Sequence, residues 1–464
     1  MDGAPATAPE VREAERQIAH VPLVLNRRNF NWLTQRISGV VEQPAPRWWW
    51  VCFMTTASIA TFGIFCIGYL ISTGVGTWGN NIPNGWAWEI TNFVFWIGIG
   101  HAGTLISALL FLLRQKWRTS INRSAEAMTL FAVMCAAIYP GIHVGRFWMA
   151  WYLAPIPNNW AIWQNFRSAL MWDVFAVSTY FTVSVLFWYT GLVPDLASLR
   201  DRATTRVRKF LFGVFALGWR GSNRNWRHYE MAYLLLAGLS TPLVLSVHSV
   251  VSFDFASTVL PTWHTTIFPP YFVAGAIYSG FAMVLTIAIP LRKAYGLEDF
   301  ITMRHLENMA KVMLATGLIV AYGYFMEFFL ALYSGNKFDV FLVQQRLHGP
   351  YSGYYFALIL CNILTPQLLW IRKVRTNVPA LFLMSLVINL GMWLERFVIV
   401  VISLTRDFVP GAWGRYQATF WDYSTFIGTM GLFVSLLFLF VRGLPAISIA
   451  EMRELVAHKS GDHE

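Results

Sequence analysis

Ten apolar stretches, each about as long as a bilayer is thick, take up most of this chain. A hydrocarbon core of roughly 30 Å needs about 20 helical residues to cross it. Stretches of that length fall at 51–72, 89–113, 127–152, 168–190, 229–251, 270–291, 306–332, 351–371, 379–404 and 420–441. Of the 464 residues, 56% are hydrophobic and only 13% are charged; a soluble domain carries about 25% charged residues. Lipid is therefore the expected solvent. Backbone polar groups in lipid must be satisfied within the chain, so the spans read as helices. The expected fold is an all-α integral membrane protein of about ten transmembrane helices, with residues 1–50 and 442–464 as tails.

The loops are sorted by charge. Twenty-seven of the 35 Lys and Arg lie in 1–50, 114–126, 191–228, 292–305, 372–378 and 442–464, all on the side of the termini. The opposite loops carry only Lys337, Arg346, Arg406 and Arg415, and 73–88, 153–166 and 252–269 carry none. The positive-inside rule places both termini in the cytoplasm. The net charge of +11 is then a topological signal and does not call for nucleic acid. Trp48, Trp49, Trp50, Trp78, Trp86, Trp160, Trp263 and Trp413 fall near span ends, as an aromatic belt does. The first apolar run begins only near Trp48, which is late for a cleaved signal peptide. The uncharged loops are rich in Gly, Pro and Asn, so compact turns suited to docking another protein are expected there. The middle eight spans divide into two sets of four, 89–251 and 270–404, each starting outside and ending inside. Two four-helix bundles in parallel repeat, with one flanking span at each end, fit that pattern.

Cys52, Cys66, Cys135 and Cys361 lie in apolar stretches and none forms CxxC. Disulfides, an iron–sulfur cluster and covalent haem attachment in this chain are therefore disfavoured, and no metal site is expected. His101, His143 and His248 sit on different helices at different depths, which argues against axial ligation of an integral haem.

Ionisable groups inside a span are costly and default to function. His143, Asp173, His248 and Asp254 all lie towards the uncharged side. At 1.5 Å per residue, His143 is expected roughly 13 Å below its span end and Asp173 roughly 8 Å below. His248 is expected within a turn of its end, and Asp254 and His264 in or beside the next loop. Arg146 stands three residues after His143, and Arg167 caps the Asp173 helix; either could keep Asp173 ionised. Such a pocket suits oxidation of a lipid-soluble carrier of two protons and two electrons. A histidine takes one proton and a carboxylate the second, with release through Asp254 and His264. The plainer alternative is that His143 and Asp173 pair to hold two helices together. A looser polar set comprises His101, Thr104, Ser107, Glu327, Asn362, Asn389, Glu395 and Arg396, with Asp299, Glu307 and Lys311 at the inner mouth of the second bundle. These residues can carry protons or merely bond helices to one another. Asp422 reads as a helix N-terminal charge.

The segments Gly98-Ile99-Gly100-His101-Ala102-Gly103-Thr104, Tyr139-Pro140-Gly141-Ile142-His143-Val144-Gly145-Arg146 and Phe166-Arg167-Ser168-Ala169-Leu170-Met171-Trp172-Asp173, on a ten-span plan, resemble the NrfD/PsrC family of quinone-interacting membrane subunits. The length and the segment Ser246–Phe255 resemble most the members found in bacterial alternative complex III. The resemblance covers about residues 45–445 and implies a bacterial inner-membrane protein without haem or iron–sulfur clusters of its own. It implies menaquinol bound near the periplasmic face by His143, Asp173, His248 and Asp254, with Arg146, Arg167, Trp172 and His264 around the pocket. His101, Glu327, Glu395, Arg396, Asp299 and Lys311 are the candidate proton pathway. The implied partners are a periplasmic iron–sulfur protein with [3Fe-4S] and [4Fe-4S] clusters, c-type cytochromes, a paralogous membrane subunit, and a downstream oxidase or soluble carrier. Two alternatives stand beside this reading. One is a quinone-coupled anchor of a molybdenum reductase or hydrogenase. The other is a secondary transporter, against which the one-sided polar cluster counts.

Overall fold

The computed structural model describes residues 22–25, 29–153 and 168–457. In chain order its helices are α1 (Phe30–Glu42), α2 (Arg47–Thr73), α3 (Trp88–Leu112), α4 (Asn122–His143), α5 (Ala169–Arg202), α6 (Arg206–Phe215), α7 (Asn223–Ala256), α8 (Phe268–Ala294), α9 (Met303–Ser334), α10 (Lys337–His348), α11 (Ser352–Trp370), α12 (Val378–Ile402), α13 (Phe420–Gly443) and α14 (Ile449–Ala457). Ten of these are long and apolar enough to span a membrane: all but α1, α6, α10 and α14. No strand occurs among the described residues.

Small residues decide the packing. Between helices in lipid there is no hydrophobic drive, so close backbone approach at Gly and Ala supplies the contact. Helix α3 is the hub, with 89% of its most apolar window buried. A Cβ on its Gly103 would lie 1.9 Å from the Ala125 carbonyl oxygen of α4, so no other residue fits there. Helices α3, α4, α5 and α7 form one group and α8, α9, α11 and α12 another, with α3 and α8 in contact across the seam. Helices α2 and α13 pair beside them, touching where a Cβ on Gly63 would lie 2.4 Å from the Gly428 Cα.

The segments read as tails contain helices packed on the basic end. Helix α1 buries Leu33, Ile37 and Val41, and Arg442 donates to the carbonyls of Val40 and Gln43. Arg202 bridges to Glu42 at 2.7 Å. Helix α14 places Glu451 3.2 Å from Arg118, and Ala450 N donates to Asp195 at 2.9 Å. Arg123, paired with Glu126 at 3.0 Å and Asp195 at 3.6 Å, completes a buried ionic cluster.

Two span ends differ from expectation. The stretch 127–152 is a helix only to His143, because Gly145 takes a left-handed turn at φ 77 and a 3-10 segment, Phe147–Leu153, follows. Helix α4 instead begins earlier, at Asn122, where Arg123 and Glu126 neutralise each other. Helix α7 runs to Ala256, past the expected end at 251, so Asp254 is helical and buried and does not lie in a loop. Asp422 does cap α13, accepting from Thr419 N at 2.7 Å and from Gly79 N at 3.0 Å. The second group also contains two π-helical turns, at Leu360–Leu364 of α11 and Val398–Ile402 of α12.

Candidate functional site

At the uncharged end of the first group, the start of α3, the end of α4, the start of α5 and the end of α7 come together. Asp173 is in the second turn of α5 and Asp254 in the last turn of α7; they are 2% and 1% exposed. Their carboxyl groups face each other within hydrogen-bonding range. No N–H or O–H donor among the described residues reaches any of their four oxygens. A carboxylate only accepts hydrogen bonds, so the pair bonds only through a proton of its own. Neither Arg146, which is exposed beyond the end of α4, nor any other described cation neutralises it. Arg146 does not share a helix face with His143, as the i+3 spacing implies, because the helix has already ended. Arg167 lies outside the described residues, and Trp172 is half-buried on α5.

His143, at the last position of α4, meets a residue that hydropathy alone does not single out. Its Nδ1 lies 3.3 Å from Glu89 Oε1. Glu89, in the first turn of α3, also accepts from Asn80 Nδ2 at 2.9 Å and from Ala87 N at 3.2 Å. His143 is the last residue of its helix and does not lie nine residues before the end, and its side chain is 21% exposed. Trp86 packs edge-on to His143 at 6.5 Å and to Phe255 at 6.2 Å, joining this dyad to the end of α7. His264 is exposed in the next loop, its Nδ1 2.7 Å from the Leu260 carbonyl oxygen.

His248 belongs to a third group. It lies six residues before Asp254, about 9 Å deeper, and its ring sits 4.2 Å from that of His101 on α3. Neither ring nitrogen of His248 has a partner among the described residues, whereas His101 Nε2 meets the Val244 carbonyl. Tyr180 stacks on His101 and donates to the Gly100 carbonyl at 2.8 Å. Thr104 and Ser184 hydroxyls meet at 3.0 Å one turn further on. The sequence separates His101 from His248 in depth, and the structure brings them together.

Across the seam, Phe272 lies 6.3 Å from the His248 ring and under the Arg396 guanidinium at 4.5 Å. Arg396 pairs with Glu395, which accepts from Tyr324, and Asn362 Nδ2 donates to the same tyrosine oxygen at 2.8 Å. A cavity of 20 Å³ lies among Tyr271, Tyr324, Glu327, Arg346 and Glu395, room for about one water. Glu327 and Arg346 form a buried ion pair at 2.7 Å, and Arg346 reaches Thr262 at 3.3 Å and Ser403 at 3.4 Å. In the sequence Arg346 is only a loop charge, because its partner is on another helix. Lys311 is 54% exposed and pairs with Glu307 at 3.2 Å; it stands about 24 Å from Glu327 along α9. Asp299 lies in the turn after α8, its carbonyl accepting from Leu25 N at 2.9 Å. Among the described residues no three His, Cys, Asp or Glu side chains are grouped to hold a metal ion.

Comparison with known proteins identifies relatives of the whole membrane domain. The chain is 20% identical over 420 residues to a selenate reductase subunit of Mesobacillus selenatarsenatis, covering 85% of this chain and 94% of that protein. It is 23% identical over 248 residues to a putative dimethyl sulfoxide reductase membrane subunit of Halobacterium salinarum, covering 50% and 53% respectively. The profile of the family described as polysulphide reductase, NrfD, matches residues 77–406, which hold every group of the site just described. The chain is a multi-pass membrane protein of the NrfD family.

Proposed function

We propose that this chain is the quinol-oxidising membrane subunit of an electron-transfer complex, of the kind called ActC in bacterial alternative complex III, with menaquinol as its substrate. The observation that carries the reading is the pair of facing, donor-free carboxyls at Asp173 and Asp254, set beside the Glu89–His143 dyad. A quinol gives up two protons with its two electrons. Glu89 accepting from His143 Nδ1–H leaves Nε2 as a base for one hydroxyl. The facing carboxyls take and pass a proton as a unit. The electrons leave to an iron–sulfur partner docked on the uncharged loops; c-type cytochromes and a paralogous membrane subunit complete the assembly. On this reading that face is periplasmic and both termini are cytoplasmic, an orientation that the sorting of Lys and Arg among the loops supports. The His101–His248 pair and the Arg396–Glu395–Glu327 chain are the route by which proton movement is coupled to the chemistry.

A second reading has its own support. Both named relatives are subunits of reductases, and the same quinol oxidation at this site would pass electrons from the quinol pool to a reductase instead. The polypeptide content and visible spectrum of the native complex separate the two: multi-haem c-type cytochromes favour the first, a reductase polypeptide the second. For the site itself, Asp173→Asn and Asp254→Asn are made in the assembled complex. Removing a positioned acid–base group costs about 10²–10⁴-fold in rate, so quinol turnover falls by at least about 10²-fold with assembly intact. Near-normal turnover in both variants refutes the assignment.

A further inference from the structure

Helix α6 joins two membrane spans, α5 and α7, at the basic end, and none of its residues is buried. Val207, Phe210, Leu211, Val214 and Phe215 are 47–69% exposed, and Leu217 in the turn that follows is 70% exposed. Spacings of three and four residues put the first five on one helix face. Arg206 and Arg208, about 100° to either side of Val207, flank that face. An apolar patch of this size on a protein marks a surface that meets a partner or a membrane. Leu217 adds a second sign. It adopts φ 49, a left-handed conformation that disfavours residues other than glycine. Strain of that kind persists where the surroundings offset it, yet no described residue covers this side chain.

Depth follows from the neighbouring span. On α7 the exposed large apolar residues run from Met231 to Phe253, about 33 Å, close to the thickness of a hydrocarbon core. The core therefore ends near Met231. Trp219, Trp226 and Tyr229 cluster just beyond it, with ring centroids 5.0–5.9 Å apart, at the level of an aromatic belt. Trp219 and the fully buried Ala216 tie the turn after α6 into this cluster. The Phe215 carbonyl accepts from the Tyr189 hydroxyl of α5 at 2.8 Å. The end of α6 is thus held where headgroups meet acyl chains.

Charge identifies the lipid. Residues 203–228 contain Arg206, Arg208, Lys209, Arg220, Arg224 and Arg227 and no Asp or Glu. None of the six pairs with a carboxylate among the described residues, and Arg208 alone has a side-chain hydrogen bond, to the Val41 carbonyl at 3.4 Å. An anionic surface supplies the missing counter-charge. We infer that α6 is an interfacial anchor: its apolar face lies in the leaflet at the basic end, and the basic residues around it hold the phosphates of anionic phospholipids. The inference rests on the ten-span fold alone. It is independent of the quinol chemistry and of which side of the membrane the basic end faces.

The test uses the native complex in nanodiscs of mixed phosphatidylglycerol and phosphatidylcholine. One lipid at a time carries a diazirine near the head of an acyl chain, and crosslinks are mapped by mass spectrometry. Both lipids are expected to label 207–217, phosphatidylglycerol several-fold more, since each Lys or Arg near an anionic surface is worth about fivefold. Arg206→Gln/Lys209→Gln/Arg224→Gln, all at exposed positions, is expected to bring the two labels level. Phe210→Ser/Leu217→Asn is expected to lower both about tenfold or more and to speed hydrogen exchange in α6; asparagine tolerates the left-handed turn. Labels at Leu234 and Leu235 of α7, 52% and 68% exposed, stay unchanged in both variants. The proposal is overturned if 207–217 carries no label in the parent, as when another protein covers the face. It is also overturned if the two lipids label the parent equally, or if either variant leaves the labels as they were.

Discussion

Replacing Arg346 with Leu leaves the Glu327 carboxylate stranded in a nearly closed space. The two side chains are 6% and 9% exposed and meet at 2.7 Å. Removing one partner of such a pair costs about 3–5 kcal/mol, because the remaining charge loses both its counter-ion and its water. The other two contacts of Arg346 add little: Thr262 and Ser403 hydroxyls already meet each other at 3.3 Å. Replacing both members by Leu is neutral or better for a buried pair, so the double variant Glu327→Leu/Arg346→Leu recovers most of the loss. A denaturant titration of the assembled complex reads both effects, and the double-mutant cycle gives the coupling. The reasoning is refuted if Arg346→Leu lies within about 1 kcal/mol of the parent, or if the double variant is no more stable than the single. The double variant also separates structure from conduction. It keeps the fold but lacks the carboxylate, so its proton-to-electron ratio in vesicles falls if Glu327 lies on the proton route. An unchanged ratio removes Glu327 from that route.

Two further outcomes follow from the packing and the basic end. Gly428→Leu drives a Cβ to 2.4 Å from the Gly63 Cα, a backbone clash that separates α2 from α13; the yield of intact complex on native gels drops steeply, whereas Gly68→Leu, whose Cβ meets nothing within 4 Å, leaves it unchanged. The hydrogen bond from Arg202 holds the Glu42 carboxyl below its ordinary value of 4.5; this stabilisation of α1 is therefore complete above that value and is lost as pH falls through the lowered one. Hydrogen exchange in α1, corrected for intrinsic rates, should stay protected at about pH 6 and loosen only in strong acid; loosening already between about pH 7 and 5 contradicts it.

The spans are legible in the sequence because hydropathy and charge sorting are local properties of the chain, and all ten reappear as membrane-length helices, several with shifted ends. What cannot be read there is helix phase. His101 and His248 are each visible as intramembrane histidines, yet only the rotation of α3 against α7 sets their rings face to face. Asp254 reads as a loop residue because Ser252-Phe253-Asp254 breaks the apolar run; the helix continues because Asp173, on another helix, shares its burial. Glu89 passes as a span boundary for the same reason, since its partners Asn80 and His143 come from a loop and from the far end of α4. The Arg146 expectation fails on one residue: Gly145 ends the helix before the i+3 spacing applies.

The two π turns in α11 and α12 mark where the chain takes up a change of length without changing helix phase. A π turn accommodates one residue more than an α-helix does, and each residue of a regular helix advances it by about 100°. Deleting one position within 398–402 would let α12 wind regularly and leave Ser403 facing Arg346 and Thr262. The same deletion in a regular stretch of α12 would turn Ser403 about 100° away from them. A relative that lacks the extra residue would therefore keep the same side chain on the buried ion pair, and a gap aligned at either turn leaves the helix faces in register.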